Sequence, residues 1–322
     1  MSKVPIVFHL AAGALRDPAS MAPFYQKLIG GLAARGADLR QVLHDRAVLA
    51  DQVAGDDAFH IVDHGGVRHD RVLNCGVAYV YPFWHMDPWG IRAFSSIAAM
   101  EFDASSVDPV QARGFADRLR NRLIGKRASR YEQPGAVTVI PQGCVAVFLQ
   151  SESHRLVGET CHLTLRQMVD AVVARDDPRP IVIKPHPRDF DDATHRMLRA
   201  LARRDQRVTV SAANIHDILS AADVVVTINS AVGIEAMVHR KPVVLCGQAD
   251  FHHCAVTVRE PGALDQAIAS AGHQDWPHDA FLYWYFAERC LSATSPTLID
   301  DLLARIRATG FDTDRCDLSR PD

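Results

Sequence analysis

The chain has 322 residues, 48% of them hydrophobic, and a formal net charge of -3. That length supports two domains with separate cores, and the charge excludes a protein held to nucleic acid by a global basic surface. Seven scattered cysteines, at 75, 144, 161, 246, 254, 290 and 316, include no CxxC pair. They argue against a disulfide framework and a cysteine zinc site, and they suit a reducing cytoplasm. The N-terminus runs into a short apolar stretch without a signal-peptide pattern, and no apolar run approaches the ~20 residues of a membrane span.

Residues 5–10 read as a buried strand, followed by a helix from Ala22 to Ala34 with Gly36 at its C-cap. Phe59–Val62 and Val72–Tyr81 read as further strands, the second leading into the Trp-rich loop Pro82–Gly90. Between Arg113 and Arg130 lie Arg118, Arg120, Arg122, Lys126 and Arg127, against a single acid, Asp117. The pattern favours the solvated face of a linker helix over a dock for anionic lipid or polyanionic glycan. Residues 127–135, with Pro134-Gly135, read as a linker.

From Ala136 the alternation restarts, with apolar runs at 136–140 and 144–149, a helix near 163–175 and a strand at 181–185. A helix near 191–203, a strand at 207–211, a helix at 214–221, a strand at 223–228, a helix at 230–239 and a strand at 242–246 follow. Helices near 261–270, 279–290 and 296–308 close the chain. The expected architecture is α/β, with two Rossmann-like domains over residues 1–130 and 136–322 and a helical C-terminal tail. A cleft between two such domains is the usual place for a nucleotide-activated donor.

Two strand ends carry the chemistry. Ile181–Pro187 is a β-branched run that delivers Lys184, His186 and Arg188 at its C-terminal edge. Asp223–Met237 is a second strand that turns at Asn229-Ser230 into a helix whose first turn is small. Ligands of open α/β sheets bind outside the carboxyl ends of strands, so these edges together predict a diphosphate or nucleotide-phosphate site. Pro185 and Pro187 stiffen the backbone around His186, which favours a phosphate donor over a histidine satisfied by backbone. Lys184 has the opposite strand parity, so structure and phosphate binding weigh equally. Arg188 is the weaker candidate. Ser230 sits where an N-cap would sit, while Ala231 and Gly233 either admit a ligand or pack helix on sheet.

Lys184-Pro-His-Pro187, Asn214–Leu219, Ala222–Ala236 and Lys241-Pro-Val-Val244 strongly resemble the bacterial capsule polysaccharide biosynthesis family. Val147–Gln150 and Phe281–Tyr285 also look like family features, and the close match covers about residues 145–290. The resemblance implies a GT-B-like fold and a Kdo transferase using CMP-Kdo, acting on an oligosaccharide or glycolipid acceptor. It implies that Glu235 accepts hydrogen bonds from ribose hydroxyls, where the residues alone give a surface carboxylate. The CMP-sugar is a substrate, and no separate cofactor is expected. Contact with the inner membrane, or with other capsule-assembly proteins, stays open.

Glycosyl transfer needs a base and charge stabilisation at an oxocarbenium-like transition state. Where related transferases place an Asp, this chain has Gln150-Ser-Glu-Ser-His154. Glu152 or His154 is the expected substitute, with Glu159 third. In the N-terminal half, His85 and Asp87 stand beside Trp84 and Trp89, fit for an acceptor sugar or for a packed turn at Asp87-Pro88. Adjacent His252-His253 lacks metal-ligand spacing and no DxD pattern sits at a strand end, so no essential metal is expected. The alternatives are a transferase using CDP-glycerol or an NDP-hexose, and a non-catalytic binder of nucleotide or glycan. A G-x-G-x-x-G after the first strand is missing, which weighs against NAD.

Overall fold

The structure, a computed structural model, describes residues 3–150, 160–188 and 191–318. Among them the strands run in chain order β1 (Ile6–Leu10), β2 (Leu39–Leu43), β3 (Phe59–Asp63), β4 (Val72–Val77), β5 (Phe83–Asp87), β6 (Cys144–Phe148), β7 (Ile181–Lys184), β8 (Val208–Val210), β9 (Ala222–Thr227), β10 (Val243–Leu245), β11 (Val256–Thr257) and β12 (Leu291–Ser292). They form two six-stranded sheets, ordered β12-β5-β4-β3-β1-β2 and β11-β10-β9-β6-β7-β8. Two compact units follow, Met1–Met100 with Phe286–Asp322, and Glu101–Tyr285. These divisions differ from the expected boundaries at 130 and 136.

In the first unit, β1 is buried on both faces, as an interior parallel strand requires. The sheet edge β2 is half-exposed, and its Leu-Arg-Gln-Val-Leu lacks a clear period, so no strand is expected there. Sequence also gives a loop at β5, where Pro82 and Asp87-Pro88 suggest turns. Its five residues are all buried, and they pair antiparallel with β4 and β12.

The C-terminal tail is part of this first unit. Leu291 and Ser292 pair with Trp84 and Phe83. The helix Leu298–Ala308 then buries Leu298, Leu302, Leu303 and Ile306 on one face, within the core that holds Phe24, Leu28 and Leu32. Each such side chain contributes about 2 kcal/mol of transfer free energy. That is the physical reason residues 286–322 leave the second unit.

The second unit carries β6 to β11, every neighbouring pair parallel. From β6 the chain winds outward through β7 and β8, then returns to the other side of β6 and winds out through β9, β10 and β11. This is the doubly wound order, whose switch point lies between β6 and β9. The helix Pro109–Leu123 belongs to this unit, and two cations of the basic run are tied down. Arg120 donates to the Val238 carbonyl at 3.1 Å and to the carboxylates of Asp117 and Asp279. Arg127 grips Asp217 through both guanidinium nitrogens, at 2.6 and 3.1 Å. The basic run is therefore part anchor and part solvated face, because Arg113, Arg118, Lys126 and Arg130 are exposed. Residues 136–140 form no strand, and Val137 and Val139 are 77% and 94% exposed.

Candidate functional site

The switch point is closed by a pair of amides. Gln150, just past β6, donates to the Asn229 side-chain carbonyl at 2.9 Å and accepts from the Asn229 backbone N–H at 2.7 Å. The Asn229 amide nitrogen donates to the carbonyls of Thr160 and Gln248, at 3.3 and 3.0 Å. Asn229 is expected from sequence to touch the ligand. Its side chain instead braces two strand ends, and its hydrogen-bonding groups are taken up by that task. Gly233 is corrected as well. A Cβ there would lie 2.8 Å from the Phe251 ring, so the glycine serves helix packing and not ligand approach.

Beside this brace is a cavity of ≈ 50 Å³, lined from β7 by Lys184, Pro185, His186 and Pro187 and from the next strand end by Ser230, Ala231, Val232 and Glu235. Its size suits a phosphate-sized group, since one water occupies roughly 30 Å³ of liquid. Lys184 is buried, and Nζ donates to the carbonyls of Ala212 and Ala213 at 3.2 and 2.6 Å. One N–H of the ammonium is left for the cavity. Burial pushes the Lys184 pKa down. His186 Nδ1 accepts the Arg188 backbone N–H at 3.1 Å, which puts the neutral ring's proton on Nε2. The Ser230 hydroxyl accepts from Val232 N at 3.4 Å, but the helix starts at Val232 with Ala231 at its cap position, so Ser230 lies one residue before the place expected of it.

Glu235 differs from its expected surface setting. It is only 6% exposed, and burial raises its pKa to about 7, against the opposing hydrogen bond from Ser129 and the charge of Arg130. A carboxyl with that pKa exchanges its proton near neutrality.

The remaining wall comes from Ser129, Arg130, Tyr131 and Gln133, residues that read in sequence as a linker. This strap is pinned along the helix Ile215–Ala221. His216 Nε2 meets the Ala128 carbonyl at 3.0 Å, Gln133 accepts from Ile215 N at 3.3 Å, and Asn214 donates to the Pro134 carbonyl at 3.0 Å. Tyr131 stands perpendicular to His186, with ring centroids 4.9 Å apart. The Arg188 guanidinium lies over the same tyrosine at 4.9 Å. Arg188 thus acts on His186 through its backbone N–H and through Tyr131, and it does not line the cavity. Polar, Pro-Gly-containing composition hides the strap; no spacing in the sequence marks it.

Among the other candidates, Glu152, His154 and Glu159 lie outside the described residues. Asp87 is buried, and its carboxylate accepts from Trp89 N, Gly90 N, Ser96 N and the Ser96 hydroxyl, the last at 2.6 Å. It organises the turn after β5, with little acceptor capacity left for a sugar hydroxyl. His85 is fully buried, its ring edge-on to Tyr79. Both belong to the framework of the first unit. His252 and His253 stack on one another at 4.1 Å. Among the described residues no group of three or more His, Cys, Asp or Glu is placed to hold a metal ion, and no helix is long and apolar enough to cross a membrane.

Residues 145–284 match the family of capsule polysaccharide biosynthesis proteins, and this stretch contains both strand ends of the cavity. No curated protein matches the chain in sequence. Two solved structures of KpsC from Thermosulfurimonas dismutans are similar. The beta Kdo 2,4 transferase aligns over 95% of this chain and 99% of its own, at 14% identity and a TM-score of 0.55. The beta Kdo 2,7 transferase aligns over 87% of this chain and 98% of its own, at 17% identity and a TM-score of 0.52. At these identities the likeness is one of fold, and the fold is GT-B-like.

Proposed function

We propose that this protein is a glycosyltransferase that moves an acidic sugar, most simply Kdo, from a CMP-activated donor to a capsule or surface-glycan acceptor. The observation that carries the proposal is the phosphate-sized cavity beside the switch point, with His186 and Lys184 in its wall. The family match around that cavity and the GT-B-like fold point the same way.

In this reading His186 Nε2–H donates to the phosphate of the departing CMP, and Lys184 offsets its charge. Tyr131 and the Arg188 backbone hold the imidazole in place. Glu235 takes the ribose hydroxyls, and its partial protonation lets it accept or donate. The acceptor's proton passes to Glu152 or His154. No metal is assigned to the reaction, and the cytoplasm is the proposed location, with the nucleotide sugar and a glycan acceptor as partners.

Calorimetry of CMP against CDP, UDP and NAD, on wild type and His186→Ala, tests this reading. Selective CMP binding that is lost in the variant, followed by turnover of CMP-Kdo, supports it. Preference for CDP or UDP moves the protein to another donor such as CDP-glycerol or an NDP-hexose. Nucleotide binding without turnover of any donor moves it to a non-catalytic partner in capsule assembly. No nucleotide binding at all removes the proposal.

A further inference from the structure

A second cavity in the same unit, of ≈ 500 Å³, is lined by Arg113, Arg240, Trp276, His278 and Asp279 among others. Its volume falls within the range of small-molecule sites, roughly 300–1,000 Å³. Arg240 and Pro242 immediately precede β10, so this cavity opens at the N-terminal edge of the parallel sheet. Lys184 and His186 lie at the C-terminal end of β7, the opposite edge. The two cavities therefore lie at opposite edges of one sheet.

The lining is chemically mixed. The half-buried Trp276 ring is oriented by its indole N–H, which donates to the Ala271 carbonyl at 3.0 Å. His278 is 6% exposed, and its Nε2 has no hydrogen-bond partner among the described residues. A buried polar atom left unpaired is costly, and a ligand group reaching it would remove that cost. Arg240 has a left-handed backbone, φ 58°, and is held to Asp279 at 2.9 Å. Arg113 is exposed on the helix Pro109–Leu123.

We propose that this cavity binds a carboxylated saccharide. An oriented indole offers a face for the C–H groups of a sugar ring. Guanidinium forks match a planar carboxylate in bidentate fashion. Asp279 is held by Arg120 and Arg240, Asp275 is left to accept sugar hydroxyls, and the two acids repel a phosphate dianion more than a single carboxylate. The proposal goes beyond the donor reading and stands whichever nucleotide the first cavity takes.

The test is titration of the full chain with tetragalacturonate, maltotetraose and inorganic phosphate, read by calorimetry and tryptophan fluorescence. Tetragalacturonate should saturate wild type, with the neutral maltotetraose about tenfold weaker. Arg113→Gln, at an exposed position, should weaken tetragalacturonate roughly tenfold and leave the melting temperature unchanged. Trp276→Phe should weaken it less than Trp276→Ala, because a ring remains. The proposal is overturned by absence of saturable tetragalacturonate binding, by equal binding of maltotetraose, by tighter binding of phosphate, or by an Arg113→Gln variant that binds like wild type.

Discussion

Histidines at two sheets of this protein meet opposite fates. In the first unit His9 Nε2 and His60 Nδ1 are 2.9 Å apart, and His60 Nε2 meets Asp56 at 3.0 Å. Both rings are 1% exposed, and burial, with the nearby His60 and His44, lowers the His9 pKa to about 4. In the second unit His186 is half-buried on a cavity wall, its Nδ1 engaged by backbone and its Nε2 carrying the proton. The first arrangement is a polar chain running from a buried ring to Asp56 at the surface, while the second leaves a ring facing a cavity, where the proposed function has it donate to a phosphate. Residue type does not separate them. Position does, because His9 and His60 lie within β1 and β3, while β7 delivers His186 just past its end.

The largest expected effect that sharpens this contrast is on turnover. His186→Ala should lower CMP-Kdo turnover by roughly 10²–10³, as loss of one preorganised donor does, with little change in melting temperature. His60→Leu should do the reverse. It should destabilise the fold by about 1–3 kcal/mol, through the buried His9 ring left unpaired, and leave nucleotide affinity as it was. A large loss of affinity in His60→Leu would break the comparison.

Next is Glu235, whose folded pKa of about 7 lies above its ordinary value of 4.5. The folded state holds the proton more tightly, so this stability is present below pH 4.5 and is lost as pH rises through 7. The loss is on the order of 3 kcal/mol. Denaturant unfolding at stepped pH should show that slope in wild type and lack it in Glu235→Gln; matching slopes would remove the buried-carboxyl assignment. His9 acts in the other direction. Its folded pKa is depressed, so stability falls as pH drops from 6.5 to about 4, and His9→Asn should flatten the acid limb.

Gly233→Ala should cost about 1–3 kcal/mol through its clash with Phe251, at unchanged nucleotide affinity. An affinity loss without destabilisation would return Gly233 to the ligand. The smallest effect concerns Tyr131. Tyr131→Leu should weaken nucleotide binding about tenfold and shift its pH profile, while Tyr131→Phe keeps the ring and should restore both. Equal behaviour of the two variants would deny Tyr131 a role in positioning His186.

Much of the second unit is legible in the sequence. β6, β7, β9 and β10 are continuous apolar runs, and such runs announce buried parallel strands whatever surrounds them. Lys184, His186 and Ser230 fall at one site because the chain puts them at or just after strand ends, and Glu235 joins them from the helix that follows β9. Asn229 and Gly233 mislead for the same reason. Proximity in sequence to a strand end does not say whether an amide meets a ligand or another amide, nor what stands opposite a missing Cβ.

The sequence by itself determined the α/β alternation, the strand-end cations and the family resemblance of about residues 145–290, because these depend on local periodicity and on adjacent residues. Only the tertiary structure decided that the tail after Phe286 completes the first sheet, and that Gln150 and Asn229 brace the switch point. It also decided that the strap at 129–133 walls the cavity. Each of these joins positions far apart in the chain, through pairing and burial that no local pattern encodes.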